Sequence, residues 1–118
     1  MSALTEALER ILKELQKNRP AVASTLQSGL TYKEIQETIT NLPFCLPNEV
    51  YELYQWRNGN EFHQFFYYHY FLPLQKAVEI CQEIIAINVE CGLRIQYEGK
   101  PLFPIFDFEG EYWAVVID

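Results

Sequence analysis

The sequence is poor in several features that mark large classes of protein. Lysine and arginine number 9 against 16 aspartates and glutamates, a formal net charge of −7, which argues against general binding to nucleic-acid phosphates. No apolar run approaches the roughly 18 residues of a membrane-spanning helix, and the polar N-terminus does not resemble a signal peptide. We therefore expect a cytoplasmic protein that binds neither nucleic acid nor membrane.

Cysteine and histidine are also scarce. Cys45, Cys81 and Cys91 form no CxxC pair, so the sequence indicates neither a disulfide framework nor a structural zinc site. His63 and His69 would lie about 20 Å apart on an extended strand, too far to share one metal ion. A cysteine–histidine nucleophilic pair is conceivable, but no local signature supports it, and no phosphate-binding glycine loop occurs. We therefore expect no metal, no cofactor and no enzymatic activity.

Aromatic residues are what the chain has in abundance, with 8 Phe, 8 Tyr and 2 Trp in 118 residues. The length fits a single domain, here taken as residues 1–118. Its charge is uneven: residues 1–60 carry seven acids and six bases, a net of −1, whereas residues 61–118 carry nine acids and three bases, a net of −6. Such an acidic half can steer a basic partner, although an acidic surface can also serve solubility alone.

Hydrophobic periodicity predicts helices near residues 3–17, 32–40, 47–57 and 74–88. The first has one apolar stripe at spacings of three and four, formed by Leu4, Leu8, Ile11, Leu12 and Leu15. Residues 21–28 are expected to form a short helix or turn.

Local motifs predict how these helices begin and end. Thr31 and Glu34 have the spacing of a capping box, and Pro47 suits the first turn of the third helix. Asn58-Gly59 should end that helix, with Gly59 in the left-handed conformation.

The second half changes to strand character. Seven of the ten residues 62–71 are aromatic, which favours a strand covered on both faces. Residues 92–98 suggest a short strand, and residues 102–107 and 111–117 read as two strands joined by a turn. The expected fold class is α+β, with N-terminal helices packed on a mainly antiparallel twisted sheet.

Three motifs follow one another along the chain. They are Leu42-Pro43, Leu46-Pro47, Val50, Leu53-Tyr54, Trp56, Asn58-Gly59, then Phe71-Leu72-Pro73-Leu74-Gln75-Lys76-Ala77, and then Leu102-Phe103-Pro104-Ile105-Phe106 with Gly110, Tyr112 and Trp113. The first resembles the hallmark of the SUKH superfamily, in which a helix is entered through Leu-Pro and ends in Asn-Gly, and the two later motifs agree with that family in order and spacing.

The resemblance implies a SUKH-like core over residues 31–118, preceded by a helical extension over residues 1–30. Family members usually continue with a further strand and a closing helix, which are absent before Asp118. The chain would then be either a short member or a fragment with an open sheet edge, and an open edge favours a homodimer.

The function that the resemblance implies is non-enzymatic protein binding, as in bacterial immunity proteins that neutralise a toxin directly. The alternative is a ligand-binding or structural accessory domain. A basic toxin domain would suit the acidic second half, and we expect the partner-binding residues to be Glu98, Asp107, Glu109, Glu111 and Trp56. Trp56 has two possible positions, since it either lines a groove or packs in the core. Asp107, Glu109 and Glu111 are spaced by two and could together hold a calcium ion, but a solvated turn between strands is the simpler interpretation.

Overall fold

The computed structural model describes residues 2–60, 69–91, 100–109 and 111–117. The chain forms, in order, α1 (Ala3–Asn18), α2 (Pro20–Thr25), β1 (Leu26–Ser28), α3 (Tyr32–Thr38), α4 (Asn48–Trp56), β2 (Arg57–Asn60), β3 (Tyr70–Phe71), α5 (Leu74–Cys91), β4 (Leu102–Phe108) and β5 (Glu111–Val116). The strands build two antiparallel sheets, β1–β2 and β3–β4–β5. The predicted α+β class is confirmed. Within these ranges, none of the helices combines the length and the apolarity needed to cross a bilayer.

Helix α1 follows its predicted stripe with one exception. The Oγ atom of Ser2 accepts a hydrogen bond from the amide of Thr5 at 3.1 Å and so caps the helix. Leu8 and Leu12 are buried, as is the last leucine of the stripe. Ile11 was expected on the same stripe but is 42% exposed. It lies at the margin of the stripe, at one edge of the face that packs on the core.

The capping box of α3 is confirmed. The amide of Glu34 donates to the Oγ1 atom of Thr31 at 3.1 Å, and the amide of Thr31 donates to the carboxylate of Glu34 at 3.0 Å. The pKa of Glu34 is lowered, first by the bond from the Thr31 amide and then by the Thr31 hydroxyl, because both favour the charged carboxylate.

The boundaries of the third predicted helix, α4, needed correction at both ends. Pro47 is the residue before the helix, in an extended conformation, and does not lie in its first turn. At the other end α4 stops at Trp56, and Gly59 belongs to β2 instead of ending the helix. The predicted left-handed conformation of Gly59 is confirmed, with φ at 74°.

Strand β2 exists because it pairs with β1, which the sequence did not predict. Leu26 lies opposite Asn60, and Ser28 lies opposite Arg57. The preceding helix α2 agrees with the short helix expected in this region, and it begins at Pro20, where the missing amide hydrogen is not needed.

The Asn58–Asn60 segment docks against the connection from β3 to α5. The side-chain oxygen of Asn58 accepts a hydrogen bond from the amide of Leu74 at 2.8 Å, and that of Asn60 accepts one from the amide of Phe71 at 3.2 Å. Between them, a Cβ atom on Gly59 would lie 2.4 Å from the nitrogen of Pro73. The segment therefore supplies the first amide of α5 with an acceptor, as an N-cap does.

The core is aromatic where α4 meets the three-stranded sheet. The Phe71 ring lies 5.7 Å from Tyr54, 6.4 Å from Trp56 and 5.6 Å from Phe106 between centroids. The hydroxyl of Tyr54 donates to the carbonyl of Leu72 at 2.8 Å. The cluster is completed by Phe103, Cys81 and aliphatic side chains, namely Leu8, Leu12, Ile35, Leu42, Leu46, Val50, Leu72, Leu74, Ala77, Val78, Ile80, Ile105 and Ile117.

The strand predicted over residues 64–71 is described only at its end, as β3, because residues 61–68 lie outside the described ranges. The strand suggested at residues 92–98 lies outside them as well. The two strands flanking the predicted turn are confirmed as β4 and β5.

Candidate interaction surface

Strands β4 and β5 form the predicted hairpin. Phe108 lies opposite Glu111 in the last pair before the turn. Glu109, within the turn, has φ at 48°, in the left-handed region that turns use. Between Pro104 and Phe106 the register shifts by one residue, so β4 carries a bulge. The hairpin therefore presents a turn at one end of the three-stranded sheet.

The predicted acidic residues come together at this end of the sheet, so far as the structure describes them. Glu109 and Glu111 are exposed, and Asp107 is half-buried. Asp107 lies opposite Tyr70 of β3 and opposite Tyr112 of β5. Glu98 lies outside the described residues. Three of the four predicted carboxylates therefore share one end of the sheet.

Two tyrosines accompany Asp107 on the same face, because residues directly opposite one another in an antiparallel sheet point the same way. Tyr70 is 38% exposed and Tyr112 is 37% exposed. Partial burial raises the pKa of Tyr112, and the negative charges of Asp107 and of Glu83 on α5 raise it further. Glu83 therefore adds a carboxylate to this surface, one that the sequence gave no reason to include.

The neighbouring positions along these strands point to the opposite face, and there His69 and Trp113 meet. Their ring centroids are 5.0 Å apart, and the ring of Phe108 lies 5.9 Å from that of His69. His69 is buried at 8% exposure, and both of its ring nitrogens lack a hydrogen-bond partner in the described structure. His69 thus packs as an aromatic ring, whereas Trp113 keeps 44% of its surface exposed.

Trp56 takes the core alternative of the two that the sequence allowed. It is 7% exposed and stacks on Phe71. The guanidinium carbon of Arg57 lies 5.7 Å from the centroid of the indole, a cation–π distance. Trp56 therefore lies in the core and does not join the carboxylates at the hairpin end of the sheet.

The other candidate reactive groups that the sequence offered are the three cysteines and His63. Burial raises the pKa of the Cys81 thiol to about 11, while Cys45 is exposed. His63 lies outside the described ranges, and the side chain of Cys91 is not described. In the part of the chain that is described, no group of three His, Cys, Asp or Glu side chains could hold a metal ion.

Periodicity alone could not have identified the exposed aromatic residues of this surface. Tyr70 and Tyr112 belong to strands 42 positions apart, and only the pairing of both with β4 brings them to either side of Asp107. Strand alternation places Tyr70 and Phe71 on opposite faces, and Phe71 is buried whereas Tyr70 is exposed. The expectation that this strand is covered on both faces is therefore wrong at Tyr70, because among the described residues only the Phe71 face packs against the core.

The chain matches no protein-family model and no curated protein. The SUKH resemblance therefore stays a prediction that rests on its motifs. In the structure, those motifs have local roles: Pro47 precedes α4, and Asn58 and Gly59 anchor β2 against the start of α5.

Proposed function

We propose that this chain is a non-enzymatic, cytoplasmic protein-binding module whose partner is a basic protein. The observation that carries the proposal is the joint placement of carboxylates and exposed aromatic rings at the hairpin end of the sheet. This hairpin surface is defined by Tyr70, Glu83, Asp107 and Tyr112 on one face of the sheet and by Glu109 and Glu111 at the turn.

Such a composition suits an interface in two separate ways. Tyrosine and tryptophan are enriched among the residues that dominate binding energy, because they bury a large area at a small cost in conformational entropy. Carboxylates around them attract a positively charged partner and raise the rate of association. The rings would therefore supply affinity, and the acidic side chains would supply steering.

The SUKH resemblance gives the proposal its most specific form, an immunity protein that neutralises a basic toxin by direct binding. Support for this form comes from the motifs and from the net charge of −6 over residues 61–118. A ligand-binding or structural accessory domain is the alternative, and it would not need the hairpin surface.

A further form of protein binding concerns a second copy of the chain. Strand β5 ends the order of the three-stranded sheet within the described residues. An edge strand can pair with another strand, so a homodimer through β5 would compete with the basic partner for this end of the sheet.

The test begins with affinity capture from the source cell, and each captured protein is then purified for binding kinetics. We compare the wild type with Glu109→Lys/Glu111→Lys and with Tyr112→Ser. Lysine in place of both carboxylates should slow association by about tenfold at low salt, because steering acts before contact. Tyr112→Ser should instead speed dissociation, because the ring is lost from the bound state.

Glu6→Lys/Glu9→Lys, which reverses two carboxylates on α1, is the matched charge control. It changes the net charge equally but leaves the hairpin surface intact. Equal association rates for the two double variants, or rates that do not fall as salt rises, would contradict the proposal. Sedimentation of the free protein separates out the homodimer, which would assemble without any partner.

A further inference from the structure

Strand β5 is exposed on both faces of the sheet over its first four residues. Residues 111–114 are all exposed, and consecutive residues of a strand point to opposite faces. Within the described residues, β5 is also the last strand in the order β3–β4–β5. An edge strand presents backbone amides and carbonyls with which a further strand can pair. An extended segment of another molecule could therefore join the sheet here.

The face of β5 that carries Trp113 is apolar. Phe71, Phe106 and Trp113 lie directly opposite one another across the three strands, so their side chains share one face of the sheet. Phe71 is buried against Tyr54 of α4, whereas Trp113 is 44% exposed. The aromatic core thus continues outward to an exposed ring at the edge of the sheet.

A groove of about 230 Å³ lies beside this ring, between α4 and β5. We call it the α4–β5 groove. Its lining in the described part of the chain is apolar throughout, and is formed by Leu53, Ile105, Phe106, Trp113, Ala114 and Val115. The groove favours an apolar side chain from a partner, because its burial removes apolar surface of both molecules from water.

The other face of β5 is acidic at the same place. Tyr112 points to it and lies directly opposite Asp107. Partial burial, then the negative charge of Asp107 and then that of Glu83 on α5, raise the pKa of Tyr112. Both carboxylates therefore lie near its hydroxyl. A cationic side chain on this face would be attracted by two carboxylates and could lie over the Tyr112 ring.

We propose that β5 binds an extended segment in which large apolar side chains alternate with lysine or arginine. Its assignment rests on the function proposed above, because the segment is the contacting part of that basic partner. A strand paired with β5 would direct every second side chain to the α4–β5 groove and the others to the acidic face. Its main-chain hydrogen bonds would supply affinity, and the alternation would supply specificity.

A second copy of this chain fits the same edge less well. Residues 111–116 include no lysine or arginine, so a β5 strand from another copy would bring no cation to Asp107 and Glu83. It would instead bring the carboxylates of its own acidic face, and like charges across an interface oppose association. The charge on this edge therefore selects a basic strand over a self-pairing one.

Synthetic peptides test this pattern on the full wild-type chain by fluorescence anisotropy. The alternating peptide Val-Lys-Leu-Lys-Val-Lys-Leu should bind saturably. The block peptide Lys-Lys-Lys-Val-Leu-Val-Leu has the same composition but cannot serve the two faces in turn, so it should bind at least about tenfold more weakly. The alternating peptide with N-methylated backbone amides loses its main-chain donors and should weaken by a similar factor of about ten.

Two variants of the chain assign the faces. Trp113→Ser removes the ring from the groove and should weaken the alternating peptide by about tenfold. Glu83→Lys reverses an exposed carboxylate of the acidic face and should weaken it by about fivefold at low salt. Ile11→Ser and Glu6→Lys, both at exposed positions of α1, are the matched controls and should leave the affinity close to that of the wild type.

Equal binding of the alternating and block peptides would overturn the proposal, as would equal binding of the methylated and unmethylated forms. A Trp113→Ser affinity equal to that of Ile11→Ser would overturn it too. Sedimentation of the free chain adds one more outcome: a dimer that Trp113→Ser dissociates would assign the edge to a second copy. Because the peptide series uses the wild-type chain, it remains decisive if a variant fails to fold.

The outcomes for this segment and for the proposed function are distinguishable. If Glu109→Lys/Glu111→Lys slows association of a captured basic protein while the alternating peptide does not bind, the segment proposal fails and the proposed function stands. If the alternating peptide binds with the expected pattern while no captured protein depends on these two glutamates, the proposed function fails and the strand-binding edge stands.

Discussion

Gly59→Ala is the substitution whose effect the structure specifies most closely. Gly59 has φ at 74°, a region that residues with a Cβ atom rarely adopt. A Cβ atom there would meet three backbone atoms, the nitrogen of Pro73 at 2.4 Å, the carbonyl carbon of Leu72 at 2.7 Å and the carbonyl oxygen of Phe71 at 2.8 Å. Backbone atoms cannot rotate aside as a flexible side chain can, so the two segments must separate.

Three contributions set the magnitude. The left-handed conformation costs an alanine roughly 1–2 kcal/mol, and the lower entropy of its unfolded chain offsets about 0.4–1 kcal/mol of this. Forcing packed backbone apart adds about 1–3 kcal/mol. Together these give a loss of about 3 kcal/mol in the free energy of unfolding, a large part of the roughly 5–15 kcal/mol of an ordinary domain.

Urea unfolding followed by far-ultraviolet circular dichroism measures this loss. Gly59→Asn separates its two causes, since asparagine tolerates the left-handed region but carries the same Cβ atom. Because contact is the larger part, we expect asparagine to recover less than half of the loss. Gln82→Ala, at an exposed position of α5, is the surface control and should stay within about 0.5 kcal/mol of the wild type.

A Gly59→Ala protein within about 0.5 kcal/mol of the wild type would refute this reasoning. It would mean that the Asn58–Asn60 segment does not press against the start of α5. Full recovery by asparagine would refute a narrower part, the contact, and would leave only the conformational cost.

Two further predictions concern single buried groups. Tyr54→Phe should lower the free energy of unfolding by about 1–3 kcal/mol, because it leaves the buried carbonyl of Leu72 without its donor; chemical denaturation measures this, and a neutral result would contradict the hydrogen bond. With its pKa raised to about 11, only about one Cys81 thiol in a thousand is ionised at pH 8. Iodoacetamide should therefore label exposed Cys45 in the folded protein and Cys81 only in urea, as peptide mass spectrometry would show; equal labelling would contradict this.

Features that depend on neighbours in sequence were predictable. The capping box joins Thr31 to Glu34, only three positions later, so its two hydrogen bonds follow from the local motif. The left-handed conformation of Gly59 also followed from its residue type. The close packing of Gly59 against the start of α5 did not follow from the sequence, because the atoms that exclude a Cβ atom there belong to residues 71–73.

Features that depend on distant pairing were not predictable. Strand β1 has three residues, too few for any periodicity, and it exists because Leu26 pairs with Asn60. On the hairpin surface, the carboxylates of Glu109 and Glu111 came from the local turn motif. Glu83 reaches the same surface from α5, and that placement depends on how the helix packs.

The docking of the Asn58–Asn60 segment has a consequence for how small a folded piece of this chain could be. The amides of Phe71 and Leu74 take their acceptors from side chains that lie 11 and 16 positions earlier. That segment in turn takes its strand partner from β1, more than 25 positions earlier still. None of these contacts lies within one helix or one hairpin. Strand β1, the Asn58–Asn60 segment and the start of α5 therefore stabilise one another only when all three are present. The shortest fragment that contains every partner runs from Leu26 to Leu74, and a cut anywhere inside it would divide a single cooperative unit.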